Sequence, residues 1–259
     1  MFVVGAGKEI LLVHWDSRQE NRNPKWKAIA IVDEHIPHNI LDYGSVDPLG
    51  RLVFGTTNLE GLKIGNITSL NRLAQFATHI QAVSSTSGFV WDIHATNPPK
   101  FYLVDAARNY GVYTTGFHIK LGRFSDNGGL TLTWPKQGWT GSPRRLTVDR
   151  EGNLWVPLFE GGGVIQVDPR INDILRFIPI PAQRVNACTF GGPKFDILYV
   201  STMWYGHVNE HGQRQRFDEG GSIYAVKGLG VKGWPPGQYK LLVENMITEK
   251  FEPVSVRLP

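Results

Sequence analysis

Val46-Asp47-Pro48-Leu49-Gly50-Arg51-Leu52-Val53-Phe54 recurs 102 residues later as Val148-Asp149-Arg150-Glu151-Gly152-Asn153-Leu154-Trp155-Val156. Each copy reads as a strand, a tight Asp-x-x-Gly turn and a second strand that is apolar nearly throughout. Aspartate bonds the N–H groups of its own turn, and glycine supplies the positive φ that closes it. Looser copies are Trp91-Asp92-Ile93 turning through Asn97-Pro98-Pro99 into Phe101-Tyr102-Leu103-Val104, and Cys188-Thr189-Phe190 turning through Gly191-Gly192-Pro193 into Ile197-Leu198-Tyr199-Val200. Gly163 to Asp168 and Ser222 to Val226 alternate with the period of two expected of strands. No long segment carries a helical stripe. Recurring antiparallel units of about 40 to 57 residues predict a β-propeller. A sandwich is the alternative, but its strands need not recur in matched sets. Repeat starts fall at the opening hairpin, where the unit is incomplete, and near residues 46, 91, 148 and 188.

Composition agrees. The 259 residues include 29 glycines and 16 prolines, a turn-rich chain, with 41% hydrophobic and only 19% charged residues. Net charge is +4, with basic residues scattered and no patch denser than pairs such as Arg144-Arg145, so a nucleic-acid partner is not expected. The single cysteine, Cys188, forms no internal disulfide and fits a reducing, cytoplasmic compartment, a disulfide-free secreted protein being the alternative. No apolar run reaches the roughly 18 residues of a membrane span, and the N-terminus lacks the pattern of a signal peptide.

Other motifs read as structure. Gly5-Ala6-Gly7-Lys8 lacks the full phosphate-loop spacing and is expected to be a hairpin turn. Phe159-Glu160-Gly161-Gly162-Gly163-Val164 is expected to be another. His207 and His211, four apart, sit among loop residues, and His35 and His38 flank Pro37; neither pair is expected to hold metal. Asn66-Ile67-Thr68 fits a glycosylation sequon. Cys188 is expected to pack in a strand, and the eight tryptophans to serve mainly the core.

Three signatures together carry a resemblance: Phe190-Gly191-Gly192-Pro193 before Leu198-Tyr199-Val200; Gly221-Ser222-Ile223-Tyr224 before Gly228-Leu229-Gly230-Val231-Lys232-Gly233; and Asp149 to Val156. With them the chain resembles the regucalcin, gluconolactonase and luciferin-regenerating enzyme family (the senescence marker protein family) from residue 1 to about 240. Val32 to Pro48 is most similar to the insect luciferin-regenerating branch. The resemblance implies a single all-β domain over residues 1–240, a six-bladed propeller here lacking most of its first blade, with a C-terminal tail over 241–259. It also implies one divalent cation (calcium, zinc, manganese or magnesium) and hydrolysis of sugar-acid lactones. In such a site the cation polarises the lactone carbonyl and acidifies a bound water while a carboxylate moves the proton.

The family's site residues are not matched in kind. A first-blade glutamate has no counterpart, because the chain starts after that blade. The Asn-Gly ligand turn aligns with Ser87-Gly88, and the Pro-Asp-Gly turn, whose aspartate is ligand and acid/base, aligns with Pro143-Arg144-Arg145. The substrate-contacting Arg-x-Asn-Asp-Gly segment aligns with Ile40-Leu41-Asp42-Tyr43-Gly44, leaving Asp42 as the candidate substrate contact. The loop after Gly55-Thr56-Thr57 is short where relatives carry a lid. A guanidinium about 4 Å from a divalent cation costs on the order of 8 kcal/mol at an effective dielectric near 20. Arg144 therefore opposes metal at its aligned position, and no intact metal site, cofactor or catalytic residue is expected. Two functions follow: a lactone hydrolase of the gluconolactonase type, or a non-catalytic propeller binding a small molecule, lactone or sugar acid, in the central channel. An incomplete gene product or splice form is a third account of the sequence. Arg144 then either binds a small anion or pairs with a neighbouring acid such as Asp42.

Overall fold

The computed structural model describes residues 1–15, 24–94, 99–105, 112–118, 123–124, 129–132, 134, 136–204, 218–242 and 252–253. All regular structure among them is β, in five antiparallel sheets. The chain divides into two compact units, Met1–Ser84 with Gln238–Pro259, and Ser85–Gly237.

The first unit holds two sheets. One is ordered β1 (Phe2–Ala6), β2 (Glu9–His14), β3 (Lys25–Ile31) and, paired to β3 through Glu252 and Pro253, a two-residue strand near the C-terminus. The other is a meander of β4 (Asn39–Val46), β5 (Leu52–Asn58), β6 (Gly65–Leu70) and β7 (Phe76–Val83). Ile10, Val32, Phe54 and Leu70 form its core, with Leu41, Leu52 and Tyr239 packed against them. The first hairpin closes over Gly7 and Lys8, with Gly7 at φ 61°, where a two-residue turn with glycine first fits the strand twist. The Lys8 ammonium donates to the carbonyls of Asp33 and Ile36 at 2.9 and 2.7 Å, so it pins a neighbouring turn rather than facing a phosphate. Lys240 to Leu242 form no strand: Lys240 and Leu242 donate single backbone bonds to the carbonyls of Gly50 and Arg72.

In the second unit, β8 (Thr86–Asp92), β9 (Lys100–Asp105) and β10 (Val112–His118) pair in order, and two short segments, β11 (Arg123–Phe124) and β12 (Gly129–Leu132), share the outer edge of β10. The middle sheet starts with a strand interrupted between β13 (Ser142–Pro143) and β14 (Thr147–Val148), then runs β15 (Leu154–Phe159), β16 (Gly163–Asp168) and β17 (Asp173–Pro179). The last is β18 (Val185–Gly191), β19 (Ile197–Thr202) and β20 (Ile223–Val226). The unbroken apolar run of β15 has a direct cause. Leu154, Val156 and Leu158 point into one cluster with Tyr102 and Leu132, while Trp155 points into another with Cys188 and Phe190. Both faces are covered, so alternation disappears from the sequence.

The repeated turn is built twice alike. Gly50 and Gly152 sit at φ 80° and 84° and donate to Asp47 and Asp149 carbonyls at 2.9 and 3.1 Å. Asp47 Oδ1 accepts from the N–H of Leu49 and Arg51, and Asp149 Oδ1 from those of Glu151 and Asn153. A third copy went unread because its letters differ. Asn71 Oδ1 accepts from Leu73 and Gln75, and Ala74, at φ 57°, stands where the others have glycine. Ala74→Gly is therefore expected to stabilise the first unit by about 0.5–1 kcal/mol, relief of left-handed strain exceeding the added chain entropy. A urea midpoint that falls instead would contradict this.

Of the tryptophans, Trp91, Trp134 and Trp155 are core, whereas Trp15 and Trp204 are exposed. The glycine-rich 159–164 stretch is the β15–β16 hairpin, as expected. His207 and His211 lie outside the described residues.

Candidate functional site

Ser87 and Arg144, 57 residues apart, meet: Arg144 Nη1 donates to Ser87 Oγ at 3.1 Å. Ser87 is a buried residue of β8, and its N–H donates to the Ser85 carbonyl at 3.0 Å. Arg144 lies in the gap between β13 and β14, where its own N–H still donates to Pro157 O at 3.0 Å. The next residue ties three sheets together. Arg145 N donates to Asn186 O at 3.3 Å, Arg145 O accepts from Cys188 N at 3.1 Å, and the Arg145 backbone passes so close to Gly88 that a Cβ there would lie 2.6 Å from Arg145 Cα. Strands β8, β14 and β18 thus converge on residues 144–145.

The Arg144 guanidinium carbon sits 4.7 Å from the centroid of the Phe159 ring, and that of Arg184 sits 5.5 Å from the same ring. Such stacking orients the flat guanidinium and contributes about 0.5–1 kcal/mol at a partly exposed position. Arg184 also pairs with Glu160 at 3.3 Å. Sequence reading found Arg144 and Ser87 through the resemblance. Phe159 and Arg184 were missed, because only the β15–β16 turn and the Phe159–Arg184 bridge bring them to the same ring.

Asp42 belongs to the first unit. It is the extra residue of a β-bulge: Leu41 opposes Thr56 and Tyr43 opposes Gly55, leaving Asp42 half-buried beside a cavity. The sequon fares differently. Asn66 lies in β6, its Nδ2 aimed at the Asp33 carboxylate and its N–H at Thr56 Oγ1, while Thr68 is buried. A folded chain offers no extended loop there to a glycosylating enzyme. These groups belong to a polar network unread in the sequence, in which Asp33 Oδ2 accepts from Asn39 Nδ2 and Thr56 Oγ1 at 2.8 and 2.7 Å. His35 is exposed, and His38, also exposed, stands 3.4 Å from Glu60. Among the described residues no three His, Cys, Asp or Glu side chains cluster as a metal site would need.

Cys188 lies in β18, buried, with Sγ donating to Trp155 O at 3.2 Å. Burial pushes its thiol far above the usual range, so the reactive thiolate is scarce. Iodoacetamide is expected to label the native chain roughly a hundredfold more slowly than the urea-unfolded chain; similar rates would contradict this packing.

No helix among the described residues is long and apolar enough to cross a membrane. Residues 1–204 match the family model described as the SMP-30/Gluconolactonase/LRE-like region. Regucalcin from Xenopus laevis is 28% identical over 242 residues, covering 91% of this chain and 76% of the relative. Human regucalcin is 27% identical, with 92% and 77% covered. The structure of a luciferin-regenerating enzyme superposes with a TM-score of 0.82 at 29% identity, covering 92% of this chain and 77% of that one. A calcium-binding regucalcin from Agrobacterium tumefaciens, at 18% identity and a TM-score of 0.76, shares the fold. The five sheets and both sets of matches agree: the chain belongs to the SMP-30/gluconolactonase/LRE-like family.

Proposed function

We propose that this family member is a non-catalytic binder of a small carboxylate or phosphate, of the sugar-acid class, at Arg144 and Ser87, having exchanged the family's metal for a fixed cation. The Arg144–Ser87 contact carries this reading. A divalent metal needs oxygen ligands, at least one anionic, converging on it. Here a guanidinium, never a ligand at neutral pH, lies within hydrogen-bond reach of the hydroxyl at the other aligned position. The pair does not fit a metal, whereas a flat guanidinium set against Phe159 suits a bidentate oxyanion. The reading extends to a cytoplasmic protein of the family's propeller fold, which the five antiparallel sheets among the described residues support.

Gluconate, citrate and phosphate are the test ligands in thermal-shift measurements. At ten times its Kd a bound anion is expected to raise the melting temperature by about 3–6 °C. Arg144→Ala should abolish the rise. Equal shifts in both proteins, or none in the wild type, as when Arg144 pairs with a neighbouring acid, overturn the proposal. Family membership favours the second reading, lactone hydrolysis. It gains the ground if calcium, zinc or manganese binds in a micromolar 1:1 isotherm and brings gluconolactone turnover with it.

A further inference from the structure

Strand β1 (Phe2–Ala6) ends its sheet: it pairs with β2 and, among the described residues, with no strand on its other side. The turn decides which peptide groups face that open side. A two-residue hairpin closes on a hydrogen-bonded pair, here Ala6 and Glu9, so Phe2, Val4 and Ala6 direct their N–H and C=O groups to β2. Val3 and Gly5 direct theirs outward, as does Gly7, whose carbonyl accepts from Leu41 N at 2.8 Å. The strand carries no charge and no proline, the usual guards of an open edge. From this edge we propose that β1 is the contact of a symmetric dimer, pairing antiparallel with β1 of a second copy about a two-fold axis through Val4.

Position and size set that register. Leu41 occupies the edge at Gly7, which confines pairing to residues 2–6, and the middle of that window is Val4. Val3 then lies opposite the partner's Gly5 and exchanges N–H···O=C bonds with it, an exchange the two-fold repeats on the other side of the axis. Bulky residues meet small ones: Phe2 faces the partner's Ala6, and Val3 the partner's Gly5. The partner's Val3 comes beside Gly5, on the face where Gly5, Ile10 and Phe54 line a cavity of about 200 Å³. On the other face Phe2 and Val4 are 46% and 38% exposed, and Trp15 holds the Phe2 ring edge-on at 6.5 Å. Pairing removes both side chains from water. No like charges on β1 oppose it, so the same uncharged strand serves as both halves of the contact. Five residues a side bury less than the roughly 800 Å² per partner of a permanent interface, so the dimer is of the weak, transient class.

Sedimentation velocity of the full chain is expected to pass from monomer to dimer with a Kd on the order of 10–100 µM. Val4→Lys and Val4→Glu each set like charges opposite one another at the axis, and each should weaken the dimer about tenfold. Mixed in equal amounts, the two variants should associate again, because lysine then faces glutamate. A disulfide gives a second readout. Cα atoms of a non-hydrogen-bonded pair stand about 4.5 Å apart, within disulfide reach, so mild oxidation should cross-link Val4→Cys. Ala6→Cys, whose mate lies beyond the far end of the strand pair, should not cross-link, and the native Cys188 is buried. The proposal is overturned if the chain stays monomeric up to millimolar concentration, which leaves the edge to a different partner. It is equally overturned if both charge variants dimerise as the wild type does, if they fail to associate on mixing, or if Ala6→Cys cross-links as fast as Val4→Cys.

Discussion

Asp149→Ala is expected to destabilise the second unit by about 4 kcal/mol, roughly 8–16 °C in melting temperature. The carboxylate is wholly buried. Its Oδ1 accepts from the N–H groups of Glu151 and Asn153, at 3.0 and 2.9 Å, and its Oδ2 from Trp155 Nε1 and Gln166 Nε2, both at 2.9 Å. Alanine leaves those donors behind, and each buried donor stranded without water costs about 1–3 kcal/mol. Gln166 in turn accepts from Arg176 Nε at 2.6 Å, so the loss spreads to β17. The twin turn supplies the control. Asp47 also bonds two turn amides, but its Oδ2 pairs with Arg51, a partly exposed side chain at 2.7 Å that can turn to solvent. Asp47→Ala should cost only about 2 kcal/mol. Equal losses at the two positions would show that the turn amides, not the tryptophan and glutamine, carry the stability.

That contrast shows what a repeat in the sequence discloses. The letters Asp-x-x-Gly reveal the turn, because the turn's demands are local: one acceptor and one positive φ. They conceal what hangs from the second carboxylate oxygen, since Trp155 and Gln166 reach Asp149 only through strand pairing. For the same reason Asn71 to Gln75 escaped notice. Asparagine replaces aspartate and alanine replaces glycine, yet the backbone is the same. At the candidate site, alignment to a known pattern located Ser87 and Arg144, but their contact is a fact of three converging strands. The Asp42 bulge was equally silent, because an extra residue in one strand leaves no mark without knowledge of its partner. Alternation was legible at Ser222 to Val226, where β20 switches between exposed and half-buried residues, and is absent in β15, where both faces are buried.

The second large effect belongs to Gly88. Gly88→Ala is expected to cost about 3–5 kcal/mol and to disturb anion binding together with stability. The new methyl would lie 2.6 Å from Arg145 Cα and 3.3 Å from Arg145 N and Cβ, all at the backbone or next to it, so no flexible side chain can swing clear. Arg145 cannot retreat cheaply either, being bonded to Asn186 and Cys188 of β18. Relief therefore means moving β8 away from residues 144–145, which lengthens the 3.1 Å contact from Arg144 to Ser87. Gly88 also sits at φ 154°, a conformation essentially reserved for glycine, so its cost combines contact and conformation. Gly138→Ala gauges left-handed strain without the contact. Gly138 has φ 84° but no atom within 4 Å of its would-be Cβ, so only the left-handed backbone is strained, at about 1 kcal/mol. Ser87→Ala separates the hydrogen bond, worth about 1–2 kcal/mol to a charged donor, from the strand displacement. Urea unfolding of the three variants should rank Gly88→Ala far below the others, and the gluconate-induced shift should fall in Gly88→Ala and Ser87→Ala but persist in Gly138→Ala. If Gly88→Ala unfolds within 1 kcal/mol of Gly138→Ala, the close approach of the two strands is not a constraint on the fold, and the geometry assigned to Arg144 loses its support.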